Sequence, residues 1–251
     1  MSVIITRDGP VTIVTIDRPA RRNAVDPDTA AALRDAFAAF AADSDALVAI
    51  LTGSEAHFCA GFDLNAVGTS RYDPDGPGPM GPTRMLLDKP VIAAVEGHAV
   101  AGGLELALWC DLRVAAASAV FGVYCRRWGV PLIDGGTVRL PRIVGQGRAL
   151  DMILTGRPVD ADEAQHIGLA DRVVADGEAL SAAITLAKQI AAFPQLCMTS
   201  DRISAYRQWD FNLADALTHE AHAGAAPLRE GAAAGAKRFT EGAGRGGVFP
   251  S

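Results

Sequence analysis

A single acidic residue, Glu105, lies in a small, apolar, glycine-rich segment that spans residues 99–106. A glycine pair lets the backbone approach a ligand closely, and the apolar residues that follow it predict the first turns of a buried helix. Burial of a carboxylate is costly unless the group is paired or takes part in chemistry. Glu105 is therefore a candidate general acid or base. The alternative is a structural carboxylate that is bonded to a nearby backbone N–H.

A second segment could act together with the first. Residues 57–64 follow an apolar run at 47–53, which predicts a buried strand that ends at a glycine. Small residues after such a strand can leave backbone N–H groups free to face a ligand. One turn near Ala60 and another near Gly102 would together bind the oxygen of a polarised carbonyl group.

These two segments belong to an ordered series that resembles the crotonase (enoyl-CoA hydratase/isomerase) superfamily. The matching segments are residues 18–19, 23–25, 58–64, 99–106, 110–113, 121–122, 135–141 and 154–157. The resemblance covers residues 3 to about 190 well and the remainder loosely. It implies an α/β fold built as a spiral of ββα units. It also implies a C-terminal helical region that covers a pocket and helps to build a homotrimer or a dimer of trimers.

The resemblance also implies a chemistry. The substrate would be a coenzyme A thioester, with the amides of Ala60 and Gly102 polarising its oxygen and Glu105 moving protons. Each such amide can stabilise a thioester enolate by roughly 3 kcal/mol. Coenzyme A would be part of the substrate, and no metal or redox cofactor is implied.

Coenzyme A binding is expected at the turn after the second strand and at the segment after Cys59. The residues that match the family there are Arg21, Arg22, Ala24, Ala60, Phe62, Asp63 and Leu64. Arginine suits a phosphate because its donors form a fixed fork. The alternative for the two arginines is a solvated basic turn, since the family often has a lysine at the position of Ala20.

The chain departs from the family's pattern at one chemically important position. Hydratases of the family have a second glutamate twenty residues after the first, where this chain has Cys125. A thiol is a poor substitute for a carboxyl group in activating water. Asp134 is a candidate second acid, because other members place a catalytic aspartate one position earlier. The alternative is that Asp134 caps the following helix.

The sequence therefore predicts an acyl-CoA-processing enzyme of the enoyl-CoA hydratase/isomerase type. Two alternatives remain: a double-bond isomerase that uses one carboxylate, and a catalytically silent acyl-CoA-binding paralogue. Retention of Glu105 favours an active enzyme, whereas Cys125 favours the isomerase or the silent protein. His57 and His98 are expected to be structural, since their spacing indicates neither a triad nor a metal site. Trp128 could either line the acyl pocket or pack in the core.

Composition excludes several other classes of protein. The formal net charge of −6 argues against nucleic acid as a partner, because no basic excess exists to neutralise phosphates. The four cysteines lack metal-ligand spacing, and their apolar surroundings indicate buried free thiols in a reducing compartment. No apolar run reaches membrane-spanning length. We therefore expect a cytoplasmic protein that does not bind membranes.

The predicted elements alternate between strands and helices, which indicates an α/β core with parallel pairing. We expect a hairpin at 3–16, a helix capped by Asp26, and strands at 91–95, 112–115 and 119–121. Two domains are predicted: a ββα core at 1–193, and a C-terminal region at 194–251 with helices at 195–217 and 230–239. The glycine- and proline-rich loop at 68–82 is either disordered, from its composition, or a lid beside the acyl pocket, from the resemblance.

Overall fold

A computed structural model describes residues 2–69 and 72–244 of the chain. Residues 70 and 71 of the glycine- and proline-rich loop lie outside the described residues, as does the end of the predicted C-terminal region from residue 245 onwards. In the described part of the chain, no helix has both the length and the apolar composition needed to cross a lipid bilayer.

Strands and helices follow one another along most of the chain. The strands are β1 (Val3–Asp8), β2 (Val11–Ile16), β3 (Val48–Gly53), β4 (Val91–Val95), β5 (His98–Val100), β6 (Leu112–Ala116), β7 (Val120–Gly122), β8 (Pro158–Asp160) and β9 (Arg172–Val174). The helices are α1 (Pro27–Ala42), α2 (Gly102–Trp109), α3 (Gly136–Val144), α4 (Gln146–Thr155), α5 (Ala161–His166), α6 (Ala179–Ala191), α7 (Gln195–Arg207), α8 (Leu213–Glu230) and α9 (Ala232–Thr240).

The strands form two sheets in the described residues. The larger sheet has the order β1-β2-β3-β4-β6-β9, and all its neighbours pair in parallel except the β1-β2 hairpin. The smaller sheet has the order β5-β7-β8. The successive pairs β4-β5 and β6-β7 each place one strand in each sheet, as a spiral of repeating units requires. The predicted α/β fold with parallel pairing is confirmed.

The central strands of the larger sheet are buried on both faces, and alternate side chains along each strand point to opposite sides. On one face, Val14 and Leu51 join the main core with Phe37 of α1 and Trp109 of α2. On the other face, Ile50 of β3 joins a second core against α6. Helix α1 begins as predicted at Asp26, whose side chain accepts a hydrogen bond from Thr29 N–H at 2.9 Å.

The C-terminal helices differ from their predicted bounds. The predicted helix at 195–217 is wrong, since α7 ends at Arg207 and α8 begins at Leu213. Asn212 starts the new helix by accepting a hydrogen bond from Asp215 N–H at 3.0 Å, which an uninterrupted helix would not permit. The predicted division of the chain into two domains at residue 193 stays a prediction.

One cysteine also differs from the prediction. Cys59, Cys110 and Cys125 are buried free thiols, but Cys197 is exposed. Cys197 lies on α7, a helix that buries none of its residues completely in the single chain. Its apolar neighbours in sequence therefore do not place it in a core.

Candidate active site

The two segments singled out in the sequence lie side by side. Cys59 pairs with Ala99 of β5 in a parallel bridge, and its amide donates to the His98 carbonyl at 2.9 Å. The chain then turns sharply at Ala101, which has a φ of 54° and a ψ of −125°, and helix α2 starts at Gly102. Gly61 faces this turn so closely that a side-chain carbon there would lie 3.0 Å from the Gly102 nitrogen.

Two backbone amides at this contact are free to bind a ligand. Val25 exchanges hydrogen bonds with Gly61 and Asp63, both at 2.8 Å, so the Phe62 N–H between them faces the opposite side. Within the described residues, neither the Phe62 nor the Gly102 N–H has an acceptor. Both residues line the same cavity. The Phe62 and Gly102 amides are therefore placed to receive one oxygen atom.

Ala60, the residue predicted for the first of these two donors, is placed differently. Its N–H donates to the carbonyl of Arg22 at 3.0 Å, so the hydrogen atom is already engaged within the chain. The assignment of the Ala60 amide to oxygen binding is therefore wrong. Ala60 still lines the cavity, and the donor moves two residues along the chain to Phe62.

Glu105 is buried on α2, with a side chain that is held at one oxygen only. Its Oε1 accepts hydrogen bonds from the N–H groups of Asp134 at 2.9 Å and of Gly136 at 2.8 Å. Its Oε2 has no hydrogen-bond donor among the described residues, and Glu105 lines the cavity. One oxygen is thus fixed by the fold while the other is available to a ligand.

Burial raises the pKa of Glu105 to about 7. The nearby charge of Asp134 raises it as well, whereas the two backbone N–H groups and Arg139 act in the opposite direction. A carboxyl group with this pKa can both accept and release a proton near neutral pH. The prediction that Glu105 is a candidate acid or base gains a physical basis, since within the described residues the group is neither ion-paired nor hydrogen-bonded at Oε2.

Asp134 lies beside Glu105 in the cavity wall and is also buried. Its Oδ1 accepts hydrogen bonds from Met80 N–H at 3.0 Å and from the Thr83 hydroxyl. Burial raises the pKa of this carboxyl as well. Asp134 accepts no bond from an amide of α3 among the described contacts, so the alternative in which its side chain caps that helix is not supported.

The cavity has a volume of about 800 Å³, and the glycine- and proline-rich loop forms part of its wall. Arg84 fixes the described part of that loop, because its guanidinium donates to the Pro74 and Gly76 carbonyls and to the Tyr72 hydroxyl. Met80, near the end of the loop, is completely buried. Residues 72–82, called here the cavity loop, are therefore a hydrogen-bonded wall of the cavity rather than a disordered surface loop.

Cys125 and Trp128 also line the cavity, on a short 3₁₀ helix at Tyr124–Trp128. Burial raises the pKa of the Cys125 thiol, and the charge of Glu105 raises it further, so the thiol stays protonated. Trp128 is 68% exposed and is thus a wall residue rather than a core residue. His98 lines the cavity too, with its Nδ1 at 3.4 Å from that of His57, and burial lowers the pKa of both rings.

The residues predicted to bind coenzyme A are only partly brought together. Arg22, Ala60, Phe62 and Leu64 line the cavity, whereas Arg21, Ala24 and Asp63 do not. Asp63 instead pairs with Arg18 at 3.2 Å and caps a short 3₁₀ helix through Asn65 N–H at 3.0 Å. Its side chain therefore serves the fold of the turn.

Other residues of the site carry no recognisable signal in the sequence. Arg34 of α1 lines the cavity and adds a second arginine, besides Arg22, to its wall. Met80 and Thr83 hold residues around Glu105 but stand in no motif, and Arg139, although it lies in the matching segment 135–141, carries no sign of its contact with Asp134. Only their hydrogen bonds across the fold reveal them.

Comparison with known proteins identifies the family of the chain. A family model described as enoyl-CoA hydratase/isomerase matches residues 6–242. The chain belongs to the enoyl-CoA hydratase/isomerase family. Its members are enzymes of the lyase or isomerase type that act on acyl-CoA thioesters. The resemblance seen in the sequence is therefore confirmed, although family membership leaves the reaction open.

Individual members of this family match most of the chain. Enoyl-CoA hydratase EchA19 of Mycobacterium tuberculosis is 41% identical over 198 residues, which cover 75% of this chain and 74% of that protein. A carnitinyl-CoA dehydratase of Salmonella arizonae is 38% identical over 231 residues, covering 87% of this chain and 88% of that protein. The crystal structure of an enoyl-CoA hydratase from Mycobacterium tuberculosis H37Rv has a TM-score of 0.91 at 34% identity, covering 96% of each chain.

Proposed function

We propose that this enzyme moves a proton on an enoyl-CoA thioester with Glu105 as its one acid/base, shifting the double bond between the β,γ and α,β positions. The observation that carries the proposal is the Glu105 carboxyl group in the wall of a largely apolar cavity: its pKa is about 7, and its Oε2 has no donor in the part of the chain that the structure describes. A group that both takes and returns a proton needs this balance between its two protonation states.

The Phe62 and Gly102 amides would stabilise the intermediate. When the Glu105 carboxylate removes the α-proton, the electron pair moves into the thioester carbonyl and forms a dienolate. The two N–H groups, which lack acceptors among the described residues, would donate to its oxygen. Glu105 then returns the proton to the γ-carbon, and the double bond becomes conjugated with the thioester. No other reactant is consumed.

Cys125 supports isomerisation over hydration. Hydration appears in the name of the relative EchA19, and dehydration in that of the Salmonella relative. The resemblance implies that the second acid of such a reaction would stand at position 125, where this chain has a cysteine. A protonated thiol there neither activates water nor stabilises a water molecule's developing charge as a carboxylate would. Hydration by this enzyme should therefore be slow.

Positive residues in the cavity wall would bind the phosphates of coenzyme A. Arg22 and Arg34 both line it, whereas Arg21 does not. The chain carries a formal charge of −6, so an anionic ligand depends on such local cations. Isothermal titration calorimetry should show that acetoacetyl-CoA binds and that acetoacetate does not. Equal affinity for both would contradict recognition of coenzyme A.

Replacement of the acid tests the proposed reaction. Glu105→Gln keeps the size of the side chain and an acceptor for the Asp134 and Gly136 amides. Conversion of 3-hexenoyl-CoA to 2-hexenoyl-CoA, followed by the absorbance of the conjugated product, should fall by about two to four decades. The affinity for acetoacetyl-CoA should stay unchanged. Wild-type turnover by Glu105→Gln would show that another group moves the proton.

The C-terminal helices support a homotrimer or a dimer of trimers. Helix α8 buries only Pro227, and the region leaves several large apolar side chains more than half exposed: Trp209, Leu213, Leu217, Leu228 and Phe239. A surface of this kind is typical of an interface between subunits. Light scattering should give an oligomer for the wild type and a smaller species for Leu217→Asp. A stable wild-type monomer at micromolar concentration would contradict the assembly.

A further inference from the structure

The Asp134 carboxylate holds the C-terminal end of the cavity loop through hydrogen bonds. Asp134 is 3% exposed, and its Oδ1 accepts both the Met80 N–H at 3.0 Å and the Thr83 hydroxyl. Thr83 is itself buried and does not line the cavity. Charged acceptors make hydrogen bonds roughly twice as strong as neutral ones, so this contact strongly favours one position of the loop.

The backbone of Asp134 reaches the proposed acid from the other side. Its N–H donates to Glu105 Oε1 at 2.9 Å. Arg139 reinforces the arrangement, because one guanidinium nitrogen donates to the Asp134 carbonyl at 3.0 Å and the other to the Thr83 carbonyl at 2.7 Å. A displacement of the C-terminal end of the cavity loop would therefore shift the Asp134 N–H, which orients Glu105.

Met80 extends the same connection to the oxygen-binding amides. Its side chain lies against Gly102, where a side-chain carbon would come within 2.6 Å of the Met80 sulfur. Met80 is completely buried, and its backbone position is set by the bond to Asp134. The start of α2 is thus packed under a residue that Asp134 anchors.

We propose that Asp134 is a positioning residue that joins the cavity loop to the reaction centre: its carboxylate holds Met80 and Thr83 while its N–H holds Glu105. The proposal rests on the proposed role of Glu105. Asp134 acts through Glu105 and the loop and does not exchange a proton with the substrate. The position of the cavity loop and the orientation of the Glu105 carboxyl group are therefore coupled.

The charges around Glu105 give this role a measurable signature. Asp134 raises the pKa of Glu105, Arg139 lowers it, and the Cys125 thiol facing the same cavity stays neutral. Asp134→Asn removes the negative charge but keeps the backbone N–H. The apparent pKa in the pH profile of kcat/KM should then move to lower pH, which a purely structural weakening would not cause.

Thr83→Val is the sharpest test, because it removes only the hydroxyl that holds Asp134. We expect kcat for 3-hexenoyl-CoA to fall about tenfold, which corresponds to the loss of one hydrogen bond. Amide exchange of the peptide containing Met80 should become faster by mass spectrometry. Thr83→Ser, which keeps the hydroxyl, should restore both values. The matched control is Thr52→Val, which removes a buried hydroxyl bonded to the Ala94 carbonyl at 3.0 Å in the sheet.

A second reaction separates failure of this proposal from failure of the proposed function. Glu105 alone should exchange the α-protons of butyryl-CoA for deuterium in heavy water. Parallel losses of this exchange and of isomerisation in Thr83→Val and Asp134→Asn would support positioning. Full α-exchange by Asp134→Asn with loss of the complete reaction would make Asp134 a substrate-contacting acid and overturn the proposal. Unchanged kcat and amide exchange in Thr83→Val would overturn this proposal alone. Wild-type turnover by Glu105→Gln would instead overturn the proposed function and, with it, the role of Asp134.

Discussion

Gly136 donates its N–H to Glu105 Oε1 at 2.8 Å, and a side-chain carbon at position 136 would lie 2.9 Å from that same oxygen. The hydrogen bond and the missing side chain therefore belong together: the carboxylate can approach the amide only because position 136 is glycine. Helix α3 begins at this residue, so its N-terminus also faces the acid.

Gly136→Ala should displace the Glu105 carboxylate and reduce turnover. The added methyl group competes with Oε1 for the same space, so the flexible Glu105 side chain must move away from the Gly136 N–H. We expect kcat for 3-hexenoyl-CoA to fall by at least about tenfold, measured under saturating substrate, with a smaller effect on the affinity for acetoacetyl-CoA.

Gly147→Ala provides the matched control for this prediction. Gly147 lies near the start of α4, and a side-chain carbon there would meet nothing within 4 Å. Alanine favours a helix over glycine, so this variant should unfold at an equal or higher temperature and keep its activity. Equal activity of Gly136→Ala and Gly147→Ala would contradict the steric argument.

The position of Glu105 could be predicted from the sequence because it depends on local features. A glycine pair followed by an apolar run predicts the turn and the buried helix, and one acidic residue stands within that run. The groups that hold Glu105 could not be predicted. Met80 and Thr83 are 54 and 51 residues away from Asp134, and no periodicity connects a glycine-rich loop to a distant carboxylate.

The stability of the protein should depend on pH through Glu105. Its pKa is about 7 in the folded chain, against an ordinary value of 4.5. Between these values the folded state holds a proton that the unfolded state has lost, so rising pH lowers the free energy of unfolding. The amide side chain of the variant Glu105→Gln does not titrate, so this variant should gain stability relative to wild type as the pH rises from 4.5 to about 7.

Chemical denaturation of both proteins at several pH values would measure this difference. Other titrating groups are shared by the two proteins, so their contributions largely cancel. The relative gain should be on the order of 3 kcal/mol at most, reached above pH 7. A constant difference between wild type and Glu105→Gln across this range would mean that Glu105 keeps an ordinary pKa.

Two substitutions at the contact between Gly61 and Ala101 should have opposite effects on the stability of the protein. Gly61 has a φ of 100°, and a side-chain carbon there would lie 2.9 Å from the Ala101 Cβ. Gly61→Ala should therefore lower the unfolding temperature and greatly reduce turnover, because the Phe62 and Gly102 amides would be forced apart. Ala101→Gly should raise stability by about 1 kcal/mol, since the φ of 54° at this residue is unfavourable for alanine.

Thermal unfolding and turnover of both variants would check this prediction. Ala101→Gly removes strain but also adds backbone freedom to the unfolded chain, which limits the gain. Destabilisation by Ala101→Gly, together with normal behaviour of Gly61→Ala, would contradict the packing described for the turn.

The sequence does not show which of the Ala60 and Phe62 amides is free to bind a ligand. Both lie in a segment of small residues, for which the sequence predicts backbone donors. Which donor is free depends on the carbonyl of Arg22, which takes the Ala60 N–H, and on Val25, which turns the Phe62 N–H outward. Arg22 and Asn23 both have positive φ values, 51° and 56°, and such a turn has no unique signature in sequence.

Cys125→Glu should raise the hydration of crotonyl-CoA by about two decades, the gain expected from a general acid or base that wild type lacks. The thiol lines the same cavity as Glu105 and stays protonated, so the substitution adds a second carboxyl group to the cavity that Glu105 lines. Cys125→Ser is the control, because a hydroxyl of similar size is also not acidic. Product analysis by chromatography would separate 3-hydroxybutyryl-CoA from the substrate. Efficient hydration by wild type, with no gain in Cys125→Glu, would show that a second carboxyl group at this position is not what limits the reaction.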